Sequence, residues 1–110
     1  MSSLDINNLF SVRGKVALVT GGSRGIGEMI AAGLLANGAK VYITARKAEQ
    51  CNATAERLSK EYNAECISIP ANIADIAGVE SLAAELGKRE SHLDFLINNA
   101  AIIRDRTLAK

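Results

Sequence analysis

The sequence predicts an α/β fold: a parallel β-sheet with flanking helices in the order βαβαβαβ. Three observations predict it. Short apolar and β-branched runs alternate with segments whose apolar residues recur at helical spacing. A cluster of glycines separates the first such run from the first helical segment. The connections are only a few residues long, which implies right-handed crossovers and parallel strands.

Each element has its own signal. Lys15-Val16-Ala17-Leu18-Val19-Thr20 is an apolar run closed by glycines, the pattern of a strand buried on both faces. From Gly25 the period changes: Ile26, Met29, Ile30, Gly33 and Leu34 fall on one helical face, and Asn37-Gly38 supplies the stop. Lys40 to Ala45 is β-branched and aromatic, a second strand. Between about Ala48 and Tyr62, the residues Cys51, Thr54, Ala55, Leu58 and Tyr62 keep helical spacing. Cys66 to Pro70 reads as a third strand. Asp75 is placed to cap a helix that carries Ile76, Val79, Leu82, Ala83 and Leu86 on one face and runs to about Glu90. Asp94 to Asn98 is a fourth strand.

Composition narrows the function classes. The 110 residues carry 13 Lys and Arg against 12 Asp and Glu, a net charge of +1, so no broad attraction to nucleic acid or to an anionic membrane is expected. With 48% hydrophobic and 23% charged residues the chain reads as one soluble domain rather than a disordered segment. No apolar run is long enough to span a bilayer, and the start lacks the basic and apolar regions of a secretion signal. The two cysteines, Cys51 and Cys66, have no partners at ligand spacing and the chain holds one histidine, so reduced core thiols and a cytoplasmic setting are expected, with no metal site. His92 reads as a solvated loop residue and Tyr42 as a strand aromatic.

The glycine cluster carries the chemistry. Thr20-Gly21-Gly22-Ser23-Arg24-Gly25-Ile26-Gly27 holds four glycines in seven residues, between a strand and a helix. A loop there brings unpaired N–H groups and the positive end of a helix dipole to an anion such as a phosphate. A triphosphate-binding P-loop is disfavoured, because no Lys-Ser or Lys-Thr follows Gly25 or Gly27. The G-x-G-x-x-G fingerprint does not fit either, since the spacing is G-x-x-x-G-x-G.

Thr20-Gly21-x-x-x-Gly25-x-Gly27 resembles the cofactor motif of the short-chain dehydrogenase/reductase family. Asn98-Asn99-Ala100-Ala101 resembles that family's second motif, Asn-Asn-Ala-Gly. The resemblance runs from about Lys15 onward and implies a Rossmann-like, doubly wound sheet. Residues 1–13 are then an N-terminal extension and 14–110 a dinucleotide-binding portion. Within the family, residues 98–105 look most like the 3-oxoacyl-acyl-carrier-protein reductases, with Ala101 and Ile103 departing from the usual Gly and Thr. That implies reduction of a carbonyl, a 3-oxoacyl thioester, and a homo-oligomer.

The second strand bears on the cofactor. NAD-specific folds place an acid at its end to bind the ribose 2′-OH. Here Thr44-Ala45-Arg46-Lys47 has none, and Arg46, with Arg24 of the glycine loop, would attract a 2′-phosphate. NADP(H) is therefore expected. The resemblance assigns the pyrophosphate to Gly21, Ser23, Arg24, Gly25, Ile26 and Gly27, and the adenosine and ribose sides to Asn72, Ile73 and Asn99, with Ala100 beside them. A plain loop cap is the alternative for Asn72. Asn98 is expected to bond backbone and hold neighbouring strands together.

The family's acid–base residues are a Ser and a Tyr-x-x-x-Lys pair. Here Tyr42 is followed four residues on by Arg46, and Tyr62 by Cys66, so no catalytic residue is assigned within the chain. Those positions are expected beyond Lys110, and the chain alone is expected to be inactive. A cut there would leave Phe95, Leu96 and Ile97 on an exposed edge that favours self-association. The rival reading is a non-catalytic module that binds NADP(H) or dimerises with a relative.

Overall fold

The first apolar run becomes the centre of the sheet. Strand β1 (Val16–Thr20) is buried at every residue. It pairs in parallel with β2 (Lys40–Thr44) on one side and β4 (Phe95–Asn98) on the other, while β3 (Cys66–Ser68) pairs with β2, giving the order β3-β2-β1-β4. Helices α1 (Gly25–Ala36), α2 (Ala48–Tyr62) and α3 (Ile76–Arg89) connect the strands. The computed structural model describes residues 11–99. Residues 1–10 of the expected extension, and Ala100 and Ala101 of the second motif, lie outside them.

Strand alternation divides the core into two layers. Val19, Val41 and Ile43 face α1 and α2 and pack with Ala31, Leu35, Cys51, Ala55 and Leu58. Val16, Leu18 and Tyr42 face the other way and pack with Ile69 and Leu82 of the α3 side. The crossover rule explains this. The chain moves outward from β1 to β3 with its helices on one face. It then returns to the far side of β1, and the same handedness puts α3 on the opposite face. The order thus reverses between β1 and β4.

The helix and strand bounds match the sequence reading to within one or two residues. Strand β3 stops at Ser68, ahead of Pro70. Asp75 caps α3, its Oδ1 accepting from the Gly78 N–H at 2.7 Å. Asn63, in the left-handed region, ends α2. Both thiols lie in the core, and burial pushes Cys66 up to about 12.

The packing face of α1 differs from the expected one. Ile26 and Met29 are 66% and 72% exposed, whereas Gly27, Ala31 and Leu35 are buried. Gly27 and Ala31 let the helix backbone approach the sheet closely; of the expected stripe, Ile30 and Leu34 pack partly against the core, while Ile26 and Met29 are left outside. On α3 only Leu82 of the predicted stripe is buried, with Ile76 and Val79 exposed. Phe95 and Leu96 are likewise exposed on β4, which is an edge among the described strands, and an apolar cleft of about 350 Å³ lies between α3 and β4. No helix among the described residues is long and apolar enough to cross a membrane.

A polar clamp absent from the sequence reading fixes α3 to β2. The buried Tyr42 hydroxyl donates to Glu90 Oε2 at 2.6 Å, and Lys40 Nζ lies 2.6 Å from the same oxygen. Lys40, then Tyr42, hold the Glu90 carboxyl below its ordinary range. Glu90 raises Lys40, while burial and then Glu90 raise Tyr42. The Glu90 contribution is present above its unfolded-state pKa and is lost as pH falls through the lower folded value. Those of Lys40 and Tyr42 are complete below their unfolded values and are lost as pH rises through the folded ones. The melting temperature attributable to this clamp should therefore be flat between roughly pH 6 and 9 and fall on either side. Tyr42→Phe should cost about 1–2 kcal/mol at pH 7, read from denaturant titration, the usual size for a hydrogen bond to a charged group partly open to water.

Candidate functional site

The carboxyl ends of β1, β2 and β4 and the loop after β3 surround one groove. The turn out of β1 is bound to β2: the Gly21 and Gly22 N–H groups both point at the Thr44 carbonyl, at 2.8 and 3.4 Å. Gly21 and Gly25 have φ of +66° and +62°, which a side chain would strain. Gly27 is fixed by contact instead, since a Cβ there would lie 2.0 Å from the Gly21 carbonyl oxygen. The first turn of α1 thus rests directly on the loop. Arg24 is the N-cap residue but makes no side-chain cap, and the first intrahelical bond from the Glu28 N–H reaches its carbonyl at 3.3 Å. The turn leaves N–H groups of α1 available to an anion.

A second helix supports the loop. The buried Thr54 hydroxyl of α2 donates to the Ser23 carbonyl at 2.8 Å. On the α3 side, Asn72 Oδ1 accepts from the Ala74 N–H at 3.0 Å, and the Asp75 N–H approaches the Asn72 carbonyl at 3.4 Å. Gly78 packs against that carbonyl so closely that a Cβ would fall 1.9 Å from it. Asn72 therefore forms the loop cap that was its alternative reading, and it does so on the groove wall. One lone pair of its oxygen is engaged, while its amide group retains two donors.

The groove has a volume of about 710 Å³, within the range of small-molecule and cofactor sites. Gly21, Ser23, Arg24, Gly25 and Ile26 line one wall; Arg46, Asn72, Ile73 and Asn99 line the rest. Gly27 lies beneath the loop rather than on the surface, and Ala100 is outside the described residues. Thr44, Ala45, Lys47, Gln50, Ala71 and Ala74 also line the groove, none of which the sequence reading singled out as a contact. For Ala45, Lys47, Ala71 and Ala74 the signal was adjacency to a predicted position; Thr44 lies two residues from Arg46, and Gln50 enters from the first turn of α2, with no such signal. Thr54 was seen only as a packing residue; a hydroxyl in an otherwise apolar stripe was the clue. Asn98 joins β4 to β1, but through a side chain rather than the expected backbone: its Oδ1 accepts from the Thr20 hydroxyl at 3.1 Å.

Charge is distributed unevenly in the groove. Arg24, Arg46 and Lys47 line it, and no carboxylate among the described residues does. None of these three cations makes an ion pair among the described residues, whereas other basic side chains do: Arg57 bridges Glu28 and Glu61, and Arg89 pairs with Glu85. The Thr44 hydroxyl is buried with no hydrogen-bond partner among the described residues. Beside Gly25 a Cβ would meet nothing within 4 Å, so the space over the loop is open. A dianionic phosphate and a flat heterocycle both suit such a lining. No group of three or more metal-ligating side chains exists among the described residues. His92 is exposed at the amino end of β4, 3.4 Å from Asp94, away from the groove.

A parallel sheet with this order and a glycine loop at its reversal point defines a Rossmann-like α/β chain. The family model described as short chain dehydrogenase matches residues 15–110, and the chain belongs to that family. It is 55% identical over 91 residues to the rhamnolipid-biosynthesis 3-oxoacyl-[acyl-carrier-protein] reductase of Pseudomonas aeruginosa, covering 83% of this chain and 35% of that protein. It is 40% identical over 100 residues to the 3-oxoacyl-[acyl-carrier-protein] reductase FabG of Salmonella typhimurium, 91% of this chain and 39% of the relative. Among solved structures, the Pseudomonas aeruginosa RhlG/NADP active-site complex matches with a TM-score of 0.79 at 56% identity, over 83% of this chain and 36% of that one. L-sorbose reductase from Gluconobacter frateurii, complexed with NADPH and L-sorbose, matches with a TM-score of 0.79 at 30% identity, over 82% and 34%. The chain thus spans little more than a third of the length of these relatives.

Two glycines on α1 separate contact from propensity. Gly27→Ala should destabilise by about 1–3 kcal/mol or more, because its Cβ meets backbone that has no room to yield. Gly33→Ala, whose Cβ meets nothing within 4 Å, should be neutral or stabilising by about 0.5–1 kcal/mol. Thermal melts of the two variants check the difference.

Proposed function

We propose that this chain is the cofactor-binding portion of an NADP(H)-dependent carbonyl reductase, and that residues 14–110 act in it as one unit. The observation that carries the reading is the lining of the groove: three cations, Arg24, Arg46 and Lys47, with no carboxylate where β2 ends. An acid there would serve a ribose 2′-OH and repel a 2′-phosphate. A guanidinium there binds the phosphate, in bidentate fashion where geometry allows. The loop from Gly21 to Ile26 takes the pyrophosphate, with Gly27 supporting it from below. Asn72 and Ile73 take the adenine side, and Asn99, followed by Ala100, the ribose side. When bound, the cofactor supplies the hydride. The part of these residues is to hold and orient it.

The substrate we infer is a 3-oxoacyl thioester, reduced to the 3-hydroxyacyl product. The support is the likeness to two proteins named as 3-oxoacyl-[acyl-carrier-protein] reductases. The L-sorbose reductase is the weaker guide, at 30% identity. We take the working enzyme to be a cytoplasmic homo-oligomer. Within the 110 residues neither Tyr42 nor Tyr62 has a Lys four positions on, so the segment by itself binds cofactor and transfers no hydride. That fact equally suits a non-catalytic NADP(H)-binding module.

Two measurements test the reading. Fluorescence titration should give tighter binding of NADPH than of NADH. Arg46→Asp should weaken NADPH by about tenfold or more, the scale of a lost charge-assisted bond plus a new repulsion, and leave NADH within a few-fold. An unchanged preference in that variant would remove the basis for NADP(H). Incubated with NADPH and a 3-oxoacyl thioester, the 110-residue chain should consume no NADPH; measurable turnover would show that its own residues supply the missing acid.

A further inference from the structure

The hydroxyl of Thr54 lies on a helix that contributes no backbone to the glycine loop, yet it makes a buried bond to the loop. It donates to the Ser23 carbonyl at 2.8 Å, and Thr54 and Ser23 are both 6% exposed. In a trans peptide the carbonyl and the following N–H point in opposite directions. A Ser23 carbonyl drawn toward α2 therefore turns the Arg24 N–H away from α2. Arg24 and Gly25 line the groove at that place. The plane of this peptide is set by ψ of Ser23 and φ of Arg24, which stands at −164°, and the bond from Thr54 holds the carbonyl end against rotation about those two bonds. With the peptide flipped, a carbonyl oxygen would face an incoming phosphate and repel it.

The geometry points to Thr54 as a positioning residue that locks the Ser23–Arg24 peptide with its N–H, not its carbonyl, toward the pyrophosphate of the cofactor. The inference rests on the NADP(H) reading and adds to it a residue outside the groove that sets affinity. Its remaining neighbours on α2, Cys51, Ala55 and Leu58, are apolar core, so the hydroxyl has one task there and the methyl group packs. The Thr54 hydroxyl acts chiefly on one end of the cofactor. The 2′-phosphate end keeps Arg46 and Lys47 at the end of β2, which Thr54 does not touch, so loss of the hydroxyl weighs less there even though Arg24 serves both ends.

Two probes separate the ends. NADPH contains the pyrophosphate; adenosine 2′-monophosphate contains the 2′-phosphate and lacks the pyrophosphate. Titration of the full chain with each should show Thr54→Val, which keeps the shape and removes the donor, binding NADPH about five- to tenfold more weakly, the fold-change of one lost hydrogen bond. Adenosine 2′-monophosphate should bind it within twofold of the unmodified chain. Thr54→Ser should bind NADPH like the unmodified chain. Thr54→Ala against Thr54→Ser repeats the comparison with the methyl group absent from both, should the valine variant not fold. Equal NADPH affinity with and without the hydroxyl overturns the role of Thr54. So does an equal loss for both probes, which would mean general loosening. Failure of the unmodified chain to bind either probe overturns instead the NADP(H) reading on which the inference rests.

Discussion

The contact between Gly27 and the Gly21 carbonyl is the constraint on which the rest of the site depends. A helix entering directly from a buried strand must begin within a few ångströms of that strand's end, and the only way to seat it there is to have no side chain at the point of contact. Once α1 is seated, Ala31 and Leu35 follow along the same line and meet the sheet, and the loop is compressed into a tight turn. Thr44 fixes the start of that turn and Thr54 its middle. Three separate elements thus converge on seven residues.

The opposite wall is built by the same device. Gly78 lets the first turn of α3 rest on the Asn72 carbonyl, as Gly27 lets α1 rest on Gly21. The two helices lie on opposite faces of the sheet, and the amino end of α1 and the loop leading into α3 line the same groove. Charge then distinguishes this groove from a generic one. Arg24 comes from the first wall and Arg46 and Lys47 from the end of β2, so the cations meet although they lie on different elements.

Much of this was legible from local pattern. Element types and most bounds follow from periodicity and from caps such as Asp75, because those signals act over a few residues. The groove residues were legible because the glycine loop, the end of β2 and the loop after β3 must all lie at the carboxyl end of a parallel sheet. Three features were not. The inward face of α1 follows the apolar pattern only in part: Ile30 and Leu34 pack, but close approach at Gly27 and Ala31 requires small residues and turns Ile26 and Met29 outward. The Tyr42–Glu90 bond joins residues 48 apart, and no local pattern announces it. The Gly78 contact depends on how α3 meets the β3 loop, a tertiary fact, although an N-cap Asp followed three residues later by Gly hints at it.

The position of β4 has a consequence for how the groove comes into being. Thr20 and Asn98 touch across 78 residues of chain, by far the longest separation in the sheet, whereas β1, β2 and β3 are joined in sequence through α1 and α2. Closing that loop carries the largest entropic cost of any strand pairing here. The glycine turn, the end of β2 and the loop after β3 belong to the locally connected half. The corner holding Asn99 waits for the slow, non-local step. On sequence separation alone, the glycine turn is expected to form before the corner that holds Asn99.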